Sequence, residues 1–162
     1  MHARAADLIA TLDLRPHPEG GFYREIYRSR SMVMPNDDRG PRAALTTIYF
    51  LLPAGEQSRW HRVASDEVWH LYEGGPLELL VLDASGSSLE RHTLSHGTGG
   101  SLNPTHAVPS HCWQSARPRG HFALVGCTVA PGFDFADFTM LADDPTMREI
   151  IRTRWPDLVD LV

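Results

Sequence analysis

Hydrophobic residues recur along this chain with a helical period near both ends and with a shorter, strand-like period between them. Residues 3–14 carry apolar side chains at the spacings of one helix face, and Pro16 ends that pattern. Residues 144–155 begin with Asp144 and Pro145, the residue types of a helix N-cap and first turn, and again place apolar residues on one face. The two patterns predict a short helix at each end of the chain.

Between these helices the chain contains short runs rich in Tyr, Phe, Ile, Leu and Val, separated by Gly and Pro. The predicted strands are residues 22–27, 44–52, 66–72, 77–82, 111–116 and 121–129. Regular short strands without a helical pattern between them favour a sandwich or jelly roll. At 162 residues, the chain is long enough to bury about two-thirds of its unfolded surface. We therefore predict one all-β domain, residues 1–162, with short N- and C-terminal helices.

Composition and charge narrow the classes of partner. The formal net charge is −5 with His neutral, and the basic residues are scattered rather than gathered into a stripe, so we expect no nucleic acid as partner. No apolar run approaches the roughly 20 residues of a membrane span, so we expect no membrane partner. Two cysteines are too few for a disulfide framework, and we see no secretory leader. These features predict a soluble, cytoplasmic protein.

One segment places a histidine and a carboxylate between two glycines at a recognisable spacing. Gly55, His61, Glu67 and Gly74 are in step with the first motif of cupins, which runs glycine, five residues, His, any residue, His, three or four residues, Glu, six residues, glycine. The second histidine of that motif is Val63 here. The resemblance therefore implies a cupin fold with an interior pocket, while one of the usual metal ligands is missing.

His61 and Glu67 are the first candidates for chemistry. On neighbouring strands joined by a short turn, inward side chains can face each other across a small β interior. A carboxylate beside an imidazole fixes its tautomer and raises its basicity, as a base or a metal ligand requires. A structural ion pair beneath a loop is the alternative. His70 alternates to the opposite face of its strand from Glu67, which favours a structural role.

The second cupin motif is also altered, and this weakens the prediction of a metal. His111 replaces a glycine of that motif, and Gln114 stands at the position of its histidine ligand. The four ligand positions thus become His61, Val63, Glu67 and Gln114. Since a transition-metal site usually contains two or three imidazoles, we predict no metal cofactor. A divalent ion held weakly by His61, Glu67 and Gln114 stays open as an alternative.

Longer segments make the family resemblance more specific than the two motifs alone, and they include the unusual string P-H-P-E-G-G. They are residues 15–29, 46–52, 61–70, 108–114 and 129–138. These strings resemble the fifth cupin domain family, a set of small and mostly uncharacterised cytoplasmic proteins. The resemblance spans residues 14–141 and implies a double-stranded β-helix, the cupin jelly roll, whose nearest structural relatives include dTDP-sugar epimerases. It also implies a homodimer.

The strand predicted at residues 22–27 offers further ligand contacts. Strict alternation places Tyr23 and Glu25 on one face, and Arg24 and Arg28 on the other. If Tyr23 and Glu25 point inward, they add a second acid–base pair to the site. If Arg24 points inward, it offers a fork for a carboxylate or phosphate. An edge strand with a solvated charged face is the third possibility. Trp69 is a candidate wall on which a ligand ring would stack.

Two functions of different classes follow from these residues. In the first, a metal-independent isomerase or epimerase, His61 is oriented by Glu67 and removes a proton next to a carbonyl, and Tyr23 donates on the far side. The predicted substrate is sugar-like or small and polar, with contacts to Gln114, Trp69, Glu25 and Arg24. In the second, the jelly roll binds a metabolite without transforming it. A cupin with a residual metal site is a weaker third option.

Overall fold

The computed structural model of this chain describes residues 1–97 and 101–162. Its α-helices are α1 (Ala3–Thr11) and α2 (Pro145–Arg154), and short 3₁₀ helices cover Phe135–Asp137, Leu141–Asp143 and Pro156–Leu161. Helix α1 is shorter than predicted because Asp13 takes a left-handed φ of 51°. Helix α2 begins as predicted, since the Asp144 side chain accepts a hydrogen bond from the backbone N–H of Met147 at 3.0 Å.

Short strands make up the rest of the described fold. They are β1 (Arg15–Pro16), β2 (Phe22–Arg28), β3 (Met32–Val33), β4 (Arg42–Ala43), β5 (Thr46–Pro53), β6 (Ser58–Val63), β7 (Asp66–Gly74), β8 (Leu77–Leu82), β9 (Leu89–His96), β10 (Leu102–Asn103), β11 (Thr105–Val108), β12 (Trp113–Pro118), β13 (Phe122–Ala130) and β14 (Phe138–Met140). Each of the predicted strands is present within one or two residues at either end.

The strands form two antiparallel sheets packed face to face as a jelly roll. The first sheet has the order β1-β2-β5-β13-β7-β11, and the second has the order β10-β9-β8-β12-β6-β14. Strands β3 and β4 form a separate ribbon. Consecutive strands β6 and β7 therefore lie in different sheets. The turn between them carries the chain from one layer to the other, so inward residues of the two strands face each other.

The hydrophobic pattern does not mark strand β6, because its run S-R-W-H-R-V carries two arginines and a histidine; only the cupin motif placed His61 on a strand. Its conformation comes from pairing with β12 on one side and β14 on the other. Alternation along β6 sends Trp60 outward, into an apolar layer beneath α2, and sends His61 and Val63 toward the space between the sheets. A functional strand is thus defined by its neighbours rather than by its own hydrophobic pattern.

Two apolar layers hold the site in place. The first lies between the sheets and includes Phe50, Trp69, Leu71 and Val125. The second packs the outer face of the second sheet against the C-terminal helices. Among residues 1–97 and 101–162, no helix is long and apolar enough to cross a membrane.

Candidate functional site

Strands β6 and β7 bring His61 and Glu67 to one cavity inside the sandwich. The two residues come from opposite sheets, and their exposed fractions are 2% and 7%. Both line a cavity of about 460 Å³. The structure thus places together the two residues that the motif spacing pairs, and their catalytic roles stay predictions.

Gln114, on β12, connects these two side chains through its amide group. The indole N–H of Trp69 donates to Gln114 Oε1 at 3.0 Å and so fixes the orientation of the amide. The amide nitrogen then donates to His61 Nε2 at 3.0 Å and to Glu67 Oε2 at 2.6 Å. His61 Nδ1 donates to the backbone carbonyl of Arg59 at 2.8 Å. This network holds His61 as the neutral tautomer with its proton on Nδ1 and its lone pair on Nε2.

A second buried carboxyl group, Glu19, lies beside His61 and is not among the candidates from the sequence. Its side chain is 8% exposed, and Ser58 Oγ donates to Glu19 Oε1 at 2.8 Å. Glu19 Oε2 lies 3.4 Å from His61 Nε2 and 3.4 Å from His17 Nδ1. Because the backbone N–H of Glu19 donates to His17 Nδ1 at 3.3 Å, that nitrogen also carries a lone pair. The carboxyl group therefore lies between two neutral imidazoles.

A tight turn at residues 17–21 delivers Glu19 to the cavity. The backbone N–H of Gly20 donates to the carbonyl of His17, and the backbone N–H of His17 donates to the carbonyl of Gly21, both at 3.0 Å. Gly20 has a φ of 111°, and a Cβ there would collide with the carbonyl oxygen of Gln57. The sequence signal for this site was present in P-H-P-E-G-G, where His17 and Glu19 come directly before the glycines.

Burial shifts the ionisation of these side chains toward their neutral forms. It raises the pKa of Glu19 to about 8 and also raises the pKa of Glu67. It lowers the pKa of His17 to about 4 and lowers the pKa of His61 as well. At neutral pH Glu19 therefore keeps its proton, while each imidazole has an unprotonated nitrogen. A proton donor and a proton acceptor stand side by side.

Strand β2 lines the mouth of the cavity. Tyr23 and Glu25 face the cavity. A β-bulge between Glu25 and Tyr27 shifts the register against β5, and it turns Arg28 to the side of Glu25. The Arg28 guanidinium donates to the two carboxylate oxygens of Glu25 at 3.0 and 2.7 Å and to the carbonyl of Phe133 at 3.1 Å. The mouth thus contains an internal ion pair.

Three residues predicted to contact ligand are not among the described residues that line the cavity: Arg24, Trp69 and Gln114, which is fully buried. Arg24 lies on the opposite face of β2 from Tyr23 and is exposed. Arg28 is the arginine at the cavity instead, because strict alternation fails at the bulge. Trp69 is 1% exposed and lies behind Gln114, whose amide it orients. Its position is that of a positioning residue rather than a stacking wall.

His70 lies on the outer face of β7, as strand alternation predicts. Glu67, Trp69 and Leu71 are buried, whereas His70 and Tyr72 are partly or fully exposed. The rings of His70 and Tyr72 stack with their planes 14° apart. His70 is therefore separate from the cavity.

The residues at the four cupin ligand positions do not fit a metal ion. Val63 lines the cavity but has no donor atom. Gln114 directs its amide N–H groups at His61 Nε2 and Glu67 Oε2, so the atoms that would bind a metal are already paired. Within the part of the chain that the structure describes, no group of three or more His, Cys, Asp or Glu side chains is placed to hold a metal ion. We therefore derive no chemistry through a metal.

Comparison with known proteins agrees with the architecture. A family model described as Cupin superfamily (DUF985) matches residues 6–141. A hypothetical protein from Leishmania major is 28% identical with a TM-score of 0.81, over 98% of this chain and 96% of that chain. An X-ray structure of a protein from Shewanella oneidensis is 34% identical with a TM-score of 0.80, over 98% and 94%. The search of curated proteins finds no match.

A more distant likeness concerns the fold alone. Oxalate decarboxylase from Bacillus subtilis is 17% identical with a TM-score of 0.60, over 93% of this chain and 37% of that chain. Another structure of that enzyme was determined in work on its Mn(II) centres. At this identity the match supports the predicted jelly roll and carries no information about the reaction of this chain.

Proposed function

This chain belongs to the DUF985 family of the cupin superfamily, and on that fold we propose that it binds a small carbonyl compound and moves a proton on it. The reaction is of the isomerase or epimerase type and uses acid–base groups of the chain itself. One observation carries the proposal: Glu19 Oε2 lies 3.4 Å from His61 Nε2, and both groups line the cavity. A protonated carboxyl group beside an unprotonated imidazole is a matched acid–base pair.

The pair can enolise a carbonyl compound in one step. Glu19 gives its proton to the carbonyl oxygen while His61 Nε2 takes the proton from the adjacent carbon. The electrons of the broken C–H bond form the C=C bond of the enol, and those of the C=O π bond form the new O–H bond. The products on the protein are a carboxylate and an imidazolium, which attract each other. Tyr23, from β2, is the candidate donor for the other face of the enol.

A non-catalytic binding protein is the second candidate, and one contact favours it. The lone pair of His61 Nε2 already accepts a hydrogen bond from Gln114, and Trp69 holds the amide in that orientation. A base must exchange this hydrogen bond for the substrate proton. In a binding protein the same network would only shape the cavity.

Proton exchange with D₂O distinguishes the two candidates. Dihydroxyacetone and glyceraldehyde are incubated with the protein in D₂O, and ¹H NMR follows the loss of the signal next to the carbonyl. We expect exchange faster than in buffer alone, and we expect Glu19→Gln and His61→Ala to slow it by about 10²- to 10⁴-fold. Glu67→Gln should slow it less, because an amide oxygen can still accept from Gln114.

Controls separate chemistry from folding. Glu73→Gln makes the same substitution at a partly exposed residue outside the cavity that pairs with Arg4, and it should leave the exchange rate unchanged. Circular dichroism should show His61→Ala folded, since a polar cavity residue contributes little packing. Wild-type protein that binds these compounds without exchanging their protons would refute the isomerase and support the binding protein.

We also propose that the protein is a cytoplasmic homodimer, as the family resemblance implies. Exposed apolar side chains near β2 and β3 support an interface there: Ile26, Tyr27 and Met32 are 38%, 54% and 60% exposed. Sedimentation velocity of the wild type and of Tyr27→Glu tests this, with a dimer expected for the first and a monomer for the second. A monomeric wild type would refute it.

A further inference from the structure

The lining of the cavity points to the charge of its ligand. We propose that the cavity selects a small organic cation, such as an amine or a quaternary ammonium compound, over neutral and anionic molecules of the same shape. This inference rests on the proposed function, because it names the ligand class for the same cavity. Because a cation at Glu19 takes the place of its proton, such a ligand binds the cavity and competes with the carbonyl substrate of the proposed reaction.

More acidic than basic side chains line the cavity. Four carboxyl side chains line it: Glu19, Glu25, Glu67 and Asp134. Arg28 is the one Lys or Arg among the described lining residues, and it is bound to Glu25 and to the carbonyl of Phe133. The histidines of the lining are neutral at neutral pH. An anionic ligand would find no free cation among the described lining residues, because Arg28 is already bound to Glu25.

Aromatic rings add a second preference for positive charge. Phe133, Phe135 and Phe138 line the cavity and pack edge to face, with centroids 5.0 to 6.1 Å apart and planes 68° to 81° apart. Tyr23 also faces the cavity, with its ring edge-on to His17 at 4.5 Å. The faces of aromatic rings attract cations, and this attraction strengthens when water is excluded. Neutral apolar ligands gain contact area from the same rings, but they gain no charge interaction.

Glu19 provides the group that would bind the positive charge of the ligand. Its side chain is about nine-tenths buried, and its Oε1 atom accepts from Ser58. Among the described residues no donor is hydrogen-bonded to its Oε2 atom, because the nearby nitrogens of His17 and His61 both present lone pairs. Oε2 is therefore free to interact with a ligand. A cation there would favour the carboxylate, so binding should expel the proton that Glu19 holds at neutral pH.

Three probes of nearly equal shape test the inference. Choline is a cation, 3,3-dimethyl-1-butanol is its neutral isostere, and 3,3-dimethylbutanoate carries the opposite charge. Isothermal titration calorimetry at pH 7 should show choline binding at least about tenfold more tightly than the alcohol, the range expected for a desolvated cation–π contact. The carboxylate should bind most weakly. Choline that fails to bind, or binds no more tightly than the alcohol, would overturn the proposal.

Two variants test whether Glu19 is responsible for the preference for choline over the alcohol. Glu19→Gln should weaken choline binding about tenfold and leave binding of the alcohol unchanged, whereas Glu73→Gln should change neither. Titrations in two buffers with different heats of ionisation should show that choline binding to wild type releases close to one proton and that binding to Glu19→Gln releases almost none. Equal loss of affinity for choline and for the alcohol would mean that Glu19 only shapes the cavity, and this would also overturn the proposal.

The failure of this inference can be told from the failure of the proposed function. If dihydroxyacetone exchanges its protons but choline does not bind, the isomerase stands and the cation preference is wrong. If choline binds with proton release but no carbonyl compound exchanges, the ligand class stands and the isomerase is wrong.

Discussion

Two carboxyl groups with similar exposed fractions have pKa values that are shifted in opposite directions in this protein. The Asp137 side chain is 6% exposed and the Glu19 side chain 8% exposed. Asp137 accepts two hydrogen bonds from Arg42 at 2.8 Å and one from Arg39 at 3.3 Å, and these arginines hold its pKa below its usual value. Glu19 accepts a hydrogen bond from the Ser58 hydroxyl and lies beside two neutral imidazoles, and its burial outweighs the charge of Arg59 and raises its pKa to about 8.

The comparison shows that counter-charge, rather than burial alone, separates a structural carboxylate from one suited to chemistry. The two regions lie on either side of β6, since Val63 lines both the cavity and a neighbouring surface groove that contains Arg39 and Asp137. Asp137 uses its charge to tie the loop between β3 and β4, and the first residue of β4, to the 3₁₀ helix before β14. Glu19 keeps a proton that a ligand or substrate can displace.

The largest expected effect is on stability and comes from removing the paired charge. Asp137→Asn leaves the largely buried Arg42 guanidinium without a carboxylate and Arg39 with Asp37 alone, and it should lower the free energy of unfolding by about 3 kcal/mol. Glu19→Gln should change it by less than about 1 kcal/mol at pH 5, because it replaces a protonated carboxyl group by a neutral amide. Urea unfolding measures both. Asp38→Asn, an exposed change in the same loop as Arg39, should stay within about 0.5 kcal/mol. Similar losses for Asp137→Asn and Glu19→Gln would refute the contrast.

The pH dependence of stability should have opposite signs in the two regions. The folded-state pKa of Glu19, about 8, is above its ordinary value of 4.5, so its contribution is fully present below pH 4.5 and is lost as the pH rises through 8. Between pH 5 and 8 wild type should therefore lose stability relative to Glu19→Gln, by up to about 1.4 kcal/mol per pH unit. The pKa of Asp137 is lowered, so its contribution is present above its ordinary pKa and is lost as the pH falls below it.

Urea unfolding between pH 3 and 9 for wild type, Glu19→Gln and Asp137→Asn tests both signs. Wild type and Glu19→Gln should diverge between about pH 4.5 and 8 and run parallel above that range, and wild type and Asp137→Asn should converge only on the acid side. Parallel curves for wild type and Glu19→Gln over the whole range would show that Glu19 is already ionised in the folded protein.

A bound metal ion would give the cavity a positive charge, as Arg39 and Arg42 give one to the region around Asp137. The double change Val63→His with Gln114→His should complete a set of three histidines and Glu67, which suits first-row divalent metals. We expect uptake of one ion per chain, and a stabilisation of about 2.7 kcal/mol when free metal is 100-fold above its Kd. Elemental analysis and thermal unfolding with added Ni²⁺ or Zn²⁺ measure this.

Single variants are the controls for the metal experiment. Val63→His should gain less metal than the pair, because the amide of Gln114 still occupies His61. Gln114→His should also lower the melting temperature without metal, since it removes the acceptor of the buried Trp69 N–H. A folded double variant without added metal uptake would mean that these positions do not converge in solution.

The smallest expected effect is on stability and concerns His111, which contacts β6 between the two regions. His111 has a left-handed φ of 65°, a conformation that favours glycine, and its backbone N–H donates to the carbonyl of Val63 at 2.9 Å. His111→Gly should remove the strain and raise the free energy of unfolding by up to about 1 kcal/mol. Asp13→Gly, at a φ of 51°, should gain less because aspartate tolerates this conformation better. Destabilisation by His111→Gly would show that the imidazole makes compensating contacts.

Local patterns were enough for much of the fold. The predicted helices and strands are present because each requires only a periodic apolar face and a turn or cap at its end. Strand β6 has no such apolar pattern and was inferred only from the cupin motif at His61, since the strand is held by pairing with β12 and β14 and by the contact of Ser58 with the turn at residues 17–21. Arg28 was assigned to the wrong face of β2, because alternation cannot foresee a bulge that is set by pairing with β5.

The sequence by itself determined the jelly roll, its family and the convergence of His61, Glu67 and Gln114, because motif spacing along alternating strands decides which side chains point inward. Only the tertiary structure decided what each of those side chains meets. It brought Glu19 between two imidazoles, gave Asp137 two arginines and placed Trp69 behind Gln114. Protonation and hydrogen-bond direction depend on groups within a few ångströms that come from distant parts of the chain, and no local pattern encodes those distances.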